Sequence, residues 1–302
     1  MDALMKRLFG LLLIICILCG CGAQPVQTES PSEPVTEPVA EVTEVPTELP
    51  TEPPTEPPTE APTEPVADRA RDLIRSGDYD GALVLLEEEP DNEETAYLRL
   101  RAQLGDVETG EIITLGRYEQ DAEEGNGPEP VEWAVLTTED NKAFLLSLYC
   151  LDSRPYNNVI DGPVTWAESA LREWLNGEFC DSVFAEEEQR LLLETELENA
   201  DNPRYGTPGG ENTADRVFLL SLDEVKAYVD ADLGKGRTTA YARSHRADRN
   251  SSGDGWWWLR SPGTVRRDAC YVDALGKISY YGYVVHRGGW SVRPAIWIDL
   301  NV

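Results

Sequence analysis

Histidine is nearly missing from this chain: His245 and His286 are the only two in 302 residues. The folded part also lacks a paired-cysteine motif, so a zinc centre of the usual His/Cys kind is not expected. Positive charge is scarce as well. There are 26 Lys and Arg against 56 Asp and Glu, a formal net charge of -30. Such a chain makes a poor partner for nucleic acid, and its bulk charge is repelled by an anionic bilayer. No Gly-x-Ser-x-Gly elbow is present, which removes the signature of a serine hydrolase. No Gly-rich loop runs into Lys-Ser/Thr, so no nucleotide cradle of that type exists. The apolar run Leu8–Leu18, broken by Gly10, falls short of the roughly 18–20 residues of a membrane-spanning helix.

That run has another meaning. Lys6 and Arg7 precede it, and Leu18-Cys19-Gly20-Cys21 comes directly after it. A charged start, an apolar stretch and a small residue before cysteine have the layout of an export signal. They resemble the bacterial lipobox, in which the cysteine is acylated and becomes the first mature residue. Cys21, preceded by Gly20, is the predicted lipidation site, with residues 1–20 as the signal peptide. Multiple acyl chains give stable attachment where one would be marginal.

Residues 21–65 are a different polymer. From Gln24 to Pro65 there are ten Glu and no Lys, Arg or Asp. Repeats such as Thr51-Glu52-Pro53-Pro54 recur with a period of four. A stretch of this kind buries no core and is expected to be disordered. Proline favours polyproline II, and like charges keep the chain extended at about 3.1 Å per residue, or on the order of 100 Å in all. It reads as a stalk lifting a domain from the bilayer.

Residues 66–108 carry helical spacing. Ala70, Leu73, Ile74, Ala82, Leu83, Leu85 and Leu86 flank the turn Gly77–Asp80, and Ala96, Tyr97, Leu98, Leu100 and Leu104 give a third helix. The spacing resembles one tetratricopeptide unit and part of the next. A single pair cannot bury its apolar face alone, so the segment is expected to be a neck packed on the C-terminal domain.

Residues 109–302 read as one α+β domain. Predicted strands are Ile112–Tyr118, Val131–Leu136 and Ala143–Leu148 at the start. At the end they are Trp256–Gly263, Ala269–Val272, Ile278–Val285 and Trp290–Ile298. Helices are expected between these groups. One starts from the capping box Thr165/Glu168 and stops at Gly177, one spans Ala185–Leu193, and one spans Leu222–Asp230 after Ser221/Glu224. Asn199–Asp215 is expected to be a long polar loop. With antiparallel neighbours and no βαβ repeats, a parallel sheet is disfavoured.

Three blocks look familiar together. They are Leu115–Asp121 with Glu132-Trp133; Thr165-Trp166 with Leu171–Asn176; and Trp257–Gly263 ending in Val292–Ile298. Their order and spacing over about residues 111–302 resemble the bacterial domain of unknown function 6273, found in extracellular or lipid-anchored proteins of Gram-positive bacteria. The resemblance implies no mechanism. A more distant likeness is to C-type-lectin-like folds, including the formylglycine-generating enzyme. Those also end in a Trp/Arg-rich strand, a Gly-containing hairpin and a Val-Arg-Pro-like closing strand. The enzyme implies a copper-binding cysteine pair, whereas this domain offers only Cys150, Cys180 and Cys270.

An odd number of cysteines in an exported domain allows one bridge, Cys150–Cys180, or none. Cys270 sits in an apolar strand pattern and reads as a buried small hydrophobe. Calcium would find hard oxygen ligands in Asp248–Asp254, Asp161, Asp201 and Asn202, but no EF-hand spacing. The candidate ligand surface is aromatic and basic. Period two puts Trp256, Trp258 and Arg260 on one strand face, and His286, Arg287, Trp290 and Arg293 come from the neighbouring hairpin. Aromatic walls with Arg forks hold sugars, peptide carboxylates or other anions. The alternative for these same residues is core packing and ion pairing.

No catalytic constellation and no cofactor motif emerges. The chain reads as a non-catalytic binding or sensory module for a glycan, peptide or protein. Its expected place is the outer face of the cell membrane, where its lipid holds it. An extracellular enzyme acting on wall polymer and a structural envelope-assembly lipoprotein are the alternatives. Replacing Cys21 with Ser is expected to move the protein from the membrane to the soluble fraction and abolish lipid labelling. Unchanged fractionation would remove the anchor.

Overall fold

The computed structural model describes residues 64–302, apart from 124 and 161. Cys21, the signal peptide, the stalk up to residue 63 and Asp161 lie outside the described residues. Among the described residues no helix is long and apolar enough to cross a membrane.

Three helices come first: α1 (Val66–Arg75), α2 (Tyr79–Leu86) and α3 (Glu93–Leu104). The Asp78 carboxylate accepts from the Gly81 amide to cap α2, and Asn92 with Thr95 forms a reciprocal box at α3. Ala70, Ile74, Ala82, Leu86, Leu98 and Ala102 close a small core of their own. The helices also dock on the domain. Arg101 Nε donates to the Leu300 carbonyl at 2.7 Å, and the Tyr97 hydroxyl to that of Asn301 at 2.9 Å.

The remainder is α+β. Its elements are β1 (Ile112–Tyr118), β2 (Glu129–Glu139), β3 (Lys142–Ser147), β4 (Asp152–Ser153), α4 (Ala170–Trp174), α5 (Cys180–Val183), α6 (Glu186–Gln189), β5 (Thr195–Leu197), β6 (Thr213–Asp215), β7 (Val217–Phe218), α7 (Leu222–Tyr228), α8 (Ala240–Ser244), β8 (Trp257–Pro262), β9 (Asp268–Val272), β10 (Ile278–Val284), β11 (Ser291–Val292) and β12 (Ala295–Asp299). Two five-stranded sheets run β1-β2-β3-β12-β7 and β10-β9-β8-β11-β4, and β5 pairs with β6. All pairings are antiparallel except β8 with β11.

Local differences from the sequence expectations have physical causes. Ser169, not Thr165, caps the central helix; its hydroxyl accepts from the Arg172 amide, while Thr165 Oγ1 bonds Glu168 instead. Gly177 does not stop that helix. Its non-helical backbone is absorbed in a wider π turn, Leu175–Phe179, that leads into α5. The helix expected to reach Leu193 ends at Gln189. Leu192 bridges to Ile298 and the Leu193 amide donates to the Trp297 carbonyl, so tertiary pairing overrides helix propensity there.

The largest difference is at the end of the chain. The single strand expected over Trp290–Ile298 is two strands in different sheets, β11 and β12, with Arg293-Pro294 at the crossover. Pro294 has no amide to pair, which suits a position between ladders. Arg293 is 1% exposed. Its guanidinium donates to the carbonyls of Ser147 (2.8 Å), Leu233 (2.6 Å) and Leu148 (3.2 Å), and lies 5.1 Å from the centre of the Trp257 ring. Burial lowers its pKa to about 10, so the charge persists at neutral pH.

Residues of the other two blocks do similar work. Trp166 Nε1 and Arg172 Nε both donate to the buried Asp215 carboxylate, at 2.8 and 2.6 Å. Asn176 donates to the Val217 carbonyl and accepts from the Arg216 amide. Trp133 Nε1 donates to the Leu115 carbonyl. At Gly116 the backbone has φ +73°, and a Cβ would lie 2.7 Å from Val183.

Replacing Arg293 with Met removes the donors and leaves three carbonyls unpaired. A loss on the order of 3–5 kcal/mol is expected in urea denaturation. Lys, a point charge without the planar fork, is expected to recover only part of it.

Candidate functional site: an aromatic face with a basic edge

The sequence-predicted ligand residues divide into two groups. Trp258, Arg260 and Arg293 are buried. Arg260 forks onto Glu224, with Nη2 at 2.9 Å from Oε1 and Nη1 on Oε2, and also donates to the Leu219 carbonyl. Period two does not bring Arg260 to the surface, because both faces of β8 are buried. Arg260 and Arg293 are therefore braces inside the fold rather than solvent-facing forks. Trp256 and His286 are half-buried and Arg287 is exposed.

Trp290 joins the two groups. Its ring stacks on Trp258 (4.8 Å, 25°) beneath and on Tyr283 (5.2 Å, 22°), and meets Tyr271 edge-on at 4.1 Å. Ser291 pairs in parallel with Trp257, which sets Trp290 beside Trp256. At the other end Trp258 is covered: Tyr156 packs against it and its Nε1 donates to the Arg154 carbonyl. The column thus runs from core to surface. Tyr283 is 43% exposed, Tyr281 64%, and Tyr271 is half-buried. These tyrosines were missed in the sequence. The signal was present in Ser279-Tyr280-Tyr281-Gly282-Tyr283, an aromatic-dense strand interrupted by glycine. β10 is an edge strand, and Gly282 takes φ +78° at its irregular pairing with β9.

Beside this face lies a basic turn. Between positions 235 and 250 stand Lys235, Arg237, Arg243, His245, Arg246 and Arg249 against one acid, Asp248. The Asp248 amide donates to the Gly289 carbonyl at 2.7 Å. Gly289 has φ +92°, and a Cβ there would lie 2.9 Å from the Asp248 carboxylate and 3.2 Å from the Arg246 carbonyl. The positive φ favours glycine at this position. Arg249 bridges to Gly255, the residue before Trp256. The turn therefore touches the chain next to both Trp290 and Trp256. Asp248 pairs with Arg287 at 3.3 Å. Arg246 and Arg249 are exposed and form no ion pair among the described residues.

The family model of DUF6273, a domain of unknown function, matches residues 140–300. The chain belongs to this family. The DUF6273 segment holds β3 through β12, and with them the aromatic face, the basic turn and the Arg293 crossover; β1 and β2 precede it. No curated protein and no solved structure matches the chain.

The oxygens considered for calcium are dispersed within the DUF6273 segment. Asp248 faces Arg287, Asp201 accepts from the Gly209 amide, and the Asn202 amide donates to the carbonyls of Pro262 and Tyr280. Among the described residues the carboxylates that converge are Glu119, Asp121 and Glu129 instead, all before it. Their oxygens already accept the amides of Ala122, Glu123 and Gln120. A cavity of about 290 Å³ beside the Arg260–Glu224 pair is walled by Glu196, Glu198, Asp201, Asp223 and Trp297. A cleft of about 750 Å³ separates the helices from the β2–β3 turn.

Cys150, Cys180 and Cys270 are free and buried, so the Cys150–Cys180 bridge does not form. Burial raises the thiol of Cys150 to about 11 and that of Cys270 to about 12. Neither is a nucleophile near neutral pH. An unfolded thiol ionises near 9, so between about pH 9 and 11 the unfolded chain loses these protons while the native chain keeps them. Their contribution to stability is full below pH 9 and is lost as pH rises through 11 to 12. Site-resolved alkylation at pH 8 is expected to spare both thiols until urea unfolds the chain. The fall in urea midpoint from pH 8 to 10 should be shallower in the Cys150→Ala/Cys270→Ala variant.

Proposed function

We propose that the chain is a lipid-anchored, extracytoplasmic binding module without catalysis, which holds its ligand on the face formed by Trp256, Tyr271 and Tyr283 over Trp290. The observation that carries this reading is the stacked column from Trp258 through Trp290 to Tyr283, whose last ring is open to solvent. A ring seated on a rigid aromatic support loses little freedom when a ligand packs against it. The lipobox-like start and the acidic stalk support display away from a bilayer, with the three helices as a neck. The order of Trp/Arg strand, β9–β10 hairpin and Val-Arg-Pro closing strand supports a C-type-lectin-like architecture.

The test is a glycan and peptide array probed with the wild type and with Tyr283→Ala and Trp256→Ala. Tyr283 is a surface residue, so its loss is expected to leave the melting temperature within about 2 °C. Affinity for the ligand should fall at least about tenfold in both variants. Unchanged binding in both would move the site elsewhere.

A further inference from the structure

Within the basic turn Lys235 pairs with Asp232 and Arg243 Nη1 donates to the Thr238 carbonyl, which leaves the charges of Arg246 and Arg249 to account for. In a chain of net charge -30, exposed Arg246 and Arg249 engage no carboxylate among the described residues, although acids outnumber bases about two to one. Arg246 is also held at φ +72°, a left-handed conformation unfavourable for a side chain of this kind. The turn is fastened to Gly289 and Gly255, so the backbone that carries these cations lies beside the chain at Trp290 and Trp256. His286 and Arg287 extend the same edge from the β10–β11 connection.

Resting on the aromatic face being the ligand surface, we propose that the ligand is an anionic glycopolymer. Its sugar rings lie on Tyr283 and Trp256, and its carboxylates or phosphates lie along Arg246, Arg249 and Arg287. Two features select this chemistry. Flat aromatic faces accept the apolar side of a ring, which an acidic peptide does not regularly present. A row of cations alongside matches a repeating negative charge, and guanidinium forks bind carboxylate and phosphate bidentately. The acidity of the rest of the molecule does not prevent contact, because charges further away than about 8 Å are largely screened at physiological salt. It does penalise polyanions that meet the protein anywhere else, so the basic edge confers specificity as well as attraction.

Binding of the full chain in detergent would be measured by biolayer interferometry against four probes. These are a poly(glycerol phosphate) polymer, a uronate polysaccharide, a neutral dextran and duplex DNA. Saturable binding to one or both anionic glycopolymers is expected, weakening as salt is raised, with none to dextran or DNA; the tighter of the two decides between phosphate and carboxylate. The Arg246→Ala/Arg249→Ala variant should lose roughly tenfold or more in affinity with an unchanged melting temperature. Arg246→Lys/Arg249→Lys should recover part of it. Undiminished binding by the alanine variant, or equal binding of DNA, overturns the proposal. Equal binding of dextran that is lost in Tyr283→Ala overturns the charge requirement while leaving the aromatic site standing. No binding to any probe by wild type overturns the assignment of an anionic glycopolymer, and an array ligand lost in Tyr283→Ala would show that the aromatic reading survives it.

Discussion

Arg293 donates from all three guanidinium nitrogens to main-chain carbonyls at the point where the chain leaves one sheet for the other. A charge without a carboxylate partner is costly to bury, and here it is tolerated because every nitrogen is occupied and the Trp257 ring lies alongside. Three separate stretches, the end of β3, the loop at Leu233 and the β11–β12 corner, meet at this one group. β11 must sit beside β8 for Trp290 to stack on Trp258, and β11 is positioned by the same corner. The open aromatic face is thus a consequence of how the two sheets are joined.

Much of the architecture was legible in the sequence. β1 has the bounds that period-two patterning and turn residues assign to it. The Ser221/Glu224 box starts α7 as expected, and the three early helices fall where Ala and Leu spacing put them. What was not legible depends on partners distant in sequence. Leu191–Leu193 look helical by themselves and leave the helix only because β12 offers backbone pairing. Trp290–Ile298 read as one strand because an apolar run carries no sign that its halves belong to different sheets. Pro294 was the available hint.

The candidate site was legible in kind but not in membership. Aromatic and basic residues do gather near Trp256 and Trp290, yet Arg260 and Arg293 turn inward. Counting residue types cannot separate a guanidinium that forks onto Glu224 from one that faces water. The tyrosines of β10 and the arginines of the α8 turn replace them at the surface. A local excess of Lys and Arg between 235 and 250 in an acidic chain was the sequence signal for the latter. Within the segment that DUF6273 matches, Trp166, Arg172, Asn176, Arg260 and Arg293 act as braces. The outward residues sit on turns and an edge strand, where a scaffold of this kind can vary its contacts.

The corner can be tested by proton exchange at the guanidinium groups, read by NMR on protein labelled with nitrogen-15 in arginine. The Arg293 side-chain protons are expected to exchange only as fast as the slowest core amides, while those of Arg246 and Arg249 vanish at once into solvent water. Arg293 protons exchanging as quickly as those of Arg246 would contradict a buried crossover bonded at each guanidinium nitrogen and with it the account of how the face is held open.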